Sequence, residues 1–103
     1  MRTYTRLEFT NEVTSQALRH AADHGVCVSC RFSRLDSSSF GVAIVDSQGW
    51  VVSPNSAISI AFSLGSTGKV LVSANGSRRA QLNEQSLITA KIEVRRLFER
   101  VCK

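Results

Sequence analysis

The densest cluster of chemistry-bearing side chains is His20, His24, Cys27 and Cys30, which read H-x3-H-x2-C-x2-C. Imidazole and thiolate are the ligands of tetrahedral Zn²⁺ sites, and histidines four apart share one side of a helix. Three features argue against a metal. A helix that stops at Gly25 leaves Cys27 and Cys30 on a strand, where an offset of three puts them on opposite faces. Val28-Ser29 lacks the glycine of a metal knuckle, and the histidines precede the cysteines. The expectation is therefore no metal and no cofactor. His20 becomes a partly buried polar contact, His24 a group suited to a helix C-terminus, and the cysteines small core residues. Cys27-Val-Ser-Cys30 also has the form of a thiol redox pair. Such pairs open a helix whose N-terminus activates the first thiol, whereas this one follows a helix and opens a strand.

Other catalytic patterns are absent or broken. Ser63-Leu-Gly-Ser-Thr-Gly-Lys69-Val70 approaches a phosphate-binding loop but has Ser63 where glycine is needed and Val70 where a hydroxyl is needed. A strand-like Val-Leu-Val-Ser follows it, where a phosphate loop requires a helix N-terminus. With fifteen serines no single one is informative, G-x-S-x-G does not occur, and the eight carboxylates are scattered. The chain reads as a non-enzyme.

The remaining signal is basic. Arg78-Arg79, together with Arg95, Arg96, Arg100 and Lys103 near the C-terminus, are expected to form a cationic surface flanked by Lys69 and Lys91. Such side chains contact phosphates at modest spacing, and they meet acidic protein groups equally well. Glu93 and Glu99 interrupt the run, as in a solvated helix face with i,i+4 pairs such as Glu99 to Lys103, and no aromatics interleave to stack on bases. Thirteen Lys and Arg against eight Asp and Glu give a net charge of +5. The excess sits at the two ends, because residues 36–68 hold no basic side chain and only Asp36 and Asp46 as acids.

The chain has 103 residues, 43% hydrophobic and 20% charged, which suits one globular domain and excludes a disordered tail or a disulfide-dense miniprotein. No apolar run is long enough for a membrane span, and the N-terminal residues lack a signal-peptide pattern. Three cysteines, an odd number, then read as reduced thiols in a cytoplasm.

These residues must be positioned by a few short elements. Residues 3–9 alternate weakly and read as a strand, although Thr5 and Glu8 have capping-box spacing for an earlier helix start. Thr10 or Asn11 caps a helix over about 11–24, closed by Gly25, with Val13, Ala17, Leu18 and Ala21 on one side. Period-two segments follow: a strand from Val26 to Phe32, a serine loop at 36–39, strands at 40–46 and 50–53, and a faultless alternation from Ile58 to Leu64. Lys69 to Ala74 is another strand, and Asn75-Gly76 is a hairpin signal leading to a short edge strand through residues 77–79. Asn83 caps a helix over about 83–102 with Leu87, Ala90, Val94, Leu97, Phe98 and Val101 on its core stripe. The expected fold is a single small α+β domain with an antiparallel sheet of about five to six strands and these two helices.

Neither face of that sheet carries a normal complement of charge. If Ile58, Ile60, Phe62 and Leu64 point one way, Ser59, Ala61 and Ser63 point the other, and Ala43, Val45, Leu71 and Ser73 extend the same pattern. A wetted face of an antiparallel sheet usually shows Lys, Glu, Thr and Arg. Two arrangements satisfy this: helices on opposite faces, or a curled sheet, make both sides core; alternatively the second side is a docking interface, for a twin subunit or another protein. The expected function is a cytoplasmic binding module that self-associates or docks through Ala43, Val45, Ser59, Ala61, Ser63, Leu71 and Ser73, and offers the basic surface to nucleic acid or a nucleoprotein complex. The alternative is a protein-directed inhibitor or immunity-type accessory protein, phage- or plasmid-like in composition, using the same arginines on an acidic surface. A small zinc domain is the remaining reading.

Overall fold

Thr5 decides where the first helix begins. Its hydroxyl accepts from the Glu8 backbone N–H at 3.1 Å, and the Glu8 carboxylate accepts from the Thr5 N–H at 2.9 Å, so two otherwise orphaned donors are satisfied reciprocally. Helix α1 accordingly runs Arg6–His24, five residues longer than the 11–24 expected, and the strand expected over 3–9 does not form. What remains of it is a bridge from Thr3 to Asn83 and a Tyr4 N–H to Leu82 carbonyl bond. The longer helix adds Phe9 to Val13, Ala17 and Ala21, a buried stripe at a spacing of four. Leu18, expected on that stripe, is instead 55% exposed. Gly25 closes the helix at φ 65°, a conformation that an L side chain resists.

The structure is a computed structural model that describes residues 2–33 and 38–102; part of the expected serine loop, Asp36 and Ser37, and the candidate Lys103 lie outside the described residues. After α1 come β1 (Cys27–Phe32), β2 (Ser39–Val45), β3 (Ala57–Leu64), β4 (Val70–Ala74), β5 (Ala80–Gln81) and α2 (Glu84–Val101). The five strands form an antiparallel meander in chain order. The expected strand at 50–53 contributes only a bridge from Val51 to Val45. There the chain bulges out through Ser53–Ser56 before β3, and the buried Ser56 hydroxyl holds the bulge by bonds to Ser53. Asn75 (φ 51°) and Gly76 (φ 80°) make the left-handed two-residue turn that the Asn-Gly pair favours. The edge strand beyond it forms at 80–81 rather than 77–79. Asn83 and Ser86 close a second capping box at the start of α2.

Both helices pack on the same side of the sheet. Phe40, Val42, Ile44, Ile58, Ile60, Phe62, Val72 and Ala74 point into one core with Phe9 and Val13 of α1 and Leu87, Val94, Leu97 and Phe98 of α2. The helices also meet each other: the Phe98 ring lies 5.5 Å from His20 and 5.7 Å from His24. The arrangement with both sheet faces as core is therefore not adopted. The large branched and aromatic side chains all have one parity along the strands, and burial free energy scales with apolar area. A helix laid on the Gly, Ala and Ser side would forgo most of it. Leu64, expected in the core, is 72% exposed because β3 runs on past the helix layer.

Candidate docking face and basic flank

Strand pairing brings the second side of the sheet together residue by residue. Ser29 sits beside Ala43 and Ala43 beside Ala57; Arg31 beside Gly41 and Gly41 beside Ser59. Ala61 pairs with Ser73 and Ser63 with Leu71. All seven expected interface residues, Ala43, Val45, Ser59, Ala61, Ser63, Leu71 and Ser73, therefore share one helix-free face, and each is partly or fully accessible. Among the described strand residues Arg31 is the only charged group on it. The face is floored by small side chains, so backbone lies close to the surface. A shallow cleft of about 260 Å³ runs along it, walled by Arg31 and Ser29 on one side and by Gly49 and Val51 of the β2–β3 connection on the other. Alternation along β1 puts Cys27, Ser29 and Arg31 on one side; that Ser29 and Arg31 line the same cleft as Ala43 follows only from pairing. Val51 carries no sequence signal, because it reaches the face through the bulge after it.

The basic residues divide into three places. Arg78 lines a small cavity with Ser86 and Thr89 of α2. Thr89, Arg96 and Arg100 fall within about 40° on the helix, so Arg78, Arg96 and Arg100 share one flank, and Arg79 is exposed next to Arg78 in the chain. Lys91 and Arg95 lie about 140° round from Arg96 and Arg100. They face α1, where Lys91 reaches Glu12 at 3.5 Å and Arg95 lines a groove with Gln16. Lys69 stands at the far end of the sheet, beside Tyr4, Arg6 and Gln81. Several cations are already engaged: Arg95 with Glu99 at 3.2 Å, Arg96 with Glu93 at 3.2 Å, and Arg100 donating twice to the Asn55 carbonyl at 2.9 and 3.2 Å. Arg78 and Arg79 are exposed and make no ion pair among the described residues.

The histidine–cysteine cluster is taken apart by the fold. His20 and His24 stack on Phe98, with His20 Nε2 at 3.0 Å from Gln16 and His24 Nδ1 at 2.9 Å from the His20 carbonyl. Cys27 lies on the helix-free face and Cys30 on the helix side, where burial pushes its thiol pKa up against the opposing effect of a hydrogen bond with Thr14. Among the described residues no three His, Cys, Asp or Glu side chains are grouped to hold a metal ion. All three cysteines are free thiols. Among the described residues no helix is long and apolar enough to cross a membrane.

No protein-family model matches this chain, and no curated protein and no solved structure is detectably similar to it.

Proposed function

We propose that the protein is a non-enzymatic cytoplasmic binding module that docks a protein partner on the helix-free face of its sheet and turns the flank of Arg78, Arg96 and Arg100, with the adjoining Arg79, toward a nucleic acid or nucleoprotein complex. The observation that carries this reading is the placement of both helices on one side, which leaves a face of small, nearly uncharged residues around Arg31. A face built for water would carry more charge, and a flat floor of Ala, Ser and Gly admits close approach by another chain. The flank and the adjoining Arg79 supply two arginines, Arg78 and Arg79, with no ion pair among the described residues, and two that contact Glu93 and the Asn55 carbonyl, an arrangement suited to phosphate or carboxylate recognition.

Capture from a native lysate, with and without nuclease, tests the reading with three proteins: the wild type, Ala61→Arg, and Arg78→Glu with Arg79→Glu. The face variant should lose the protein partner, and the flank variant should lose only the nuclease-sensitive material. If four phosphates are contacted on a duplex, the salt slope is about −3.6, which weakens binding roughly 150-fold between 50 and 200 mM salt. Salt-insensitive absence of nucleic-acid binding, with capture retained, would move the arginines to an acidic protein surface, as in an inhibitor. Capture unaffected by Ala61→Arg would remove the face from the proposal.

A further inference from the structure

We propose that a second copy of this chain adds to the outer edge of β1, joining the two meanders into one continuous sheet with the two α1 helices side by side across a twofold axis. This goes beyond the docking reading and uses a different surface. The Ser33 N–H donates to the Ser39 carbonyl at 2.9 Å, and the Ile44 N–H donates to the Ser56 carbonyl, on the opposite side of β2. In an uninterrupted antiparallel ladder these directions alternate, so Cys27, Ser29 and Arg31 turn their backbone groups to β2. Val28, Cys30 and Phe32 turn theirs outward, and among the described residues these groups have no backbone partner. The strand has no proline, no bulge in its register, and Arg31 as its single charge, so it lacks most devices that blunt an edge.

The edge is self-complementary in one register. A twofold beside Cys30 sets Cys30 opposite Cys30 of the second copy and Val28 opposite its Phe32, and every outward residue then exchanges two hydrogen bonds. Each Arg31 falls opposite a serine, Ser29 of the second copy. An axis at Ser29 leaves fewer outward pairs, and an axis at Arg31 opposes the two arginines. Facing residues in such pairs point the same way, so both helix layers stay on one side.

The helix layer supplies an independent match. Leu7, Thr14 and Leu18 fall within about 40° of one another on α1. α1 packs against β1, and Glu12 and His20, which face α2, lie about 140° round the helix from this stripe, so the stripe is on the side of α1 away from α2. Leu7 is 64% and Leu18 55% exposed, and their stripe neighbours Asn11 and Ala22 are also uncharged. On a chain of net charge +5 this stripe brings no charged side chain to the contact, and the two Arg31 side chains stand only diagonally, about 7–8 Å apart, on the opposite face. A six-residue strand is about 20 Å long and the two layers are about 20 Å deep, so the contact buries on the order of 500 Å² per copy, at the low end for a specific dimer. A Kd on the order of 10 µM is expected.

Light scattering from about 1 to 200 µM should show the mass doubling from 11.3 kDa, with the midpoint near that Kd. Leu18→Glu, and separately Leu7→Glu, should weaken association about tenfold or more, and both positions are exposed enough to spare the fold. Amide exchange should slow at Val28, Cys30 and Phe32 as concentration rises, while Ser29 and Arg31 stay protected throughout. Ala61→Arg should leave the dimer intact, which separates this proposal from docking on the sheet face. A single 11.3 kDa particle at every concentration overturns the proposal. So does a dimer that ignores Leu18→Glu, a dimer lost in Ala61→Arg, or outward amides whose exchange does not change.

Discussion

Ile60 and Ala61 are neighbours on β3 with opposite fates, and substituting each in turn measures whether the two sides of the sheet are as different as the fold implies. Ile60 is fully buried among the helices, whereas Ala61 is exposed between Ser39 and Ser73. Truncating a buried isoleucine costs the transfer free energy of its lost methyl groups plus a cavity, about 2–5 kcal/mol for Ile→Ala. At about 4–8 °C per kcal/mol for a domain of this size, a 3 kcal/mol loss lowers Tm by about 12–24 °C. Ala61→Arg removes no buried area. Its new charge lies two strands and two residues from Arg31, roughly 12 Å, where like charges repel by about 0.35 kcal/mol in water before screening. The expected change is within about 0.5 kcal/mol, or a Tm shift of about 4 °C at most. Thermal denaturation followed by circular dichroism reads both. A loss above about 1.5 kcal/mol in Ala61→Arg would mean that this side is packed after all, and the docking proposal would lose its basis.

Phe98→Ala should destabilise by about 3–5 kcal/mol in urea denaturation, because it empties the joint where α2 meets His20 and His24, while Phe98→Leu should recover most of that loss. Ser56→Ala removes a buried hydroxyl that donates to the Ser53 carbonyl at 2.6 Å and accepts from its N–H, so a cost of about 1–3 kcal/mol and faster amide exchange at Ser53 are expected. The Glu8 carboxyl is held below its ordinary pKa of 4.5 mainly by the Thr5 backbone N–H and then by the Thr5 side chain. Because the folded pKa is the lower one, the stabilisation is present above pH 4.5 and lost as pH falls through the folded value; helix content of Glu8→Ala should lack this acid step. Cys27, exposed, should react with a thiol reagent at neutral pH well before Cys30, whose raised pKa keeps it protonated; equal rates would contradict the burial of Cys30.

The elements themselves were legible in the residues. The alternation of Ile58 to Leu64, the Asn75-Gly76 turn and the Asn83 cap act over a few residues, so strand, turn and helix start follow from local chemistry. The same locality explains the one element misplaced at the N-terminus: strand propensity over 3–9 and the Thr5–Glu8 box compete within one turn, and the reciprocal bonds together with burial of Phe9 prevail. Tertiary contacts decided the rest. Which side of the sheet the helices take depends on the summed apolar area of strands far apart in the chain. The division of the arginines depends on where α1 and Asn55 come to lie against α2. The exposure of Leu7 and Leu18 depends on α1 leaning over the outermost strand. Periodicity sorts residues into faces, but only pairing and packing determine which faces remain open to a partner.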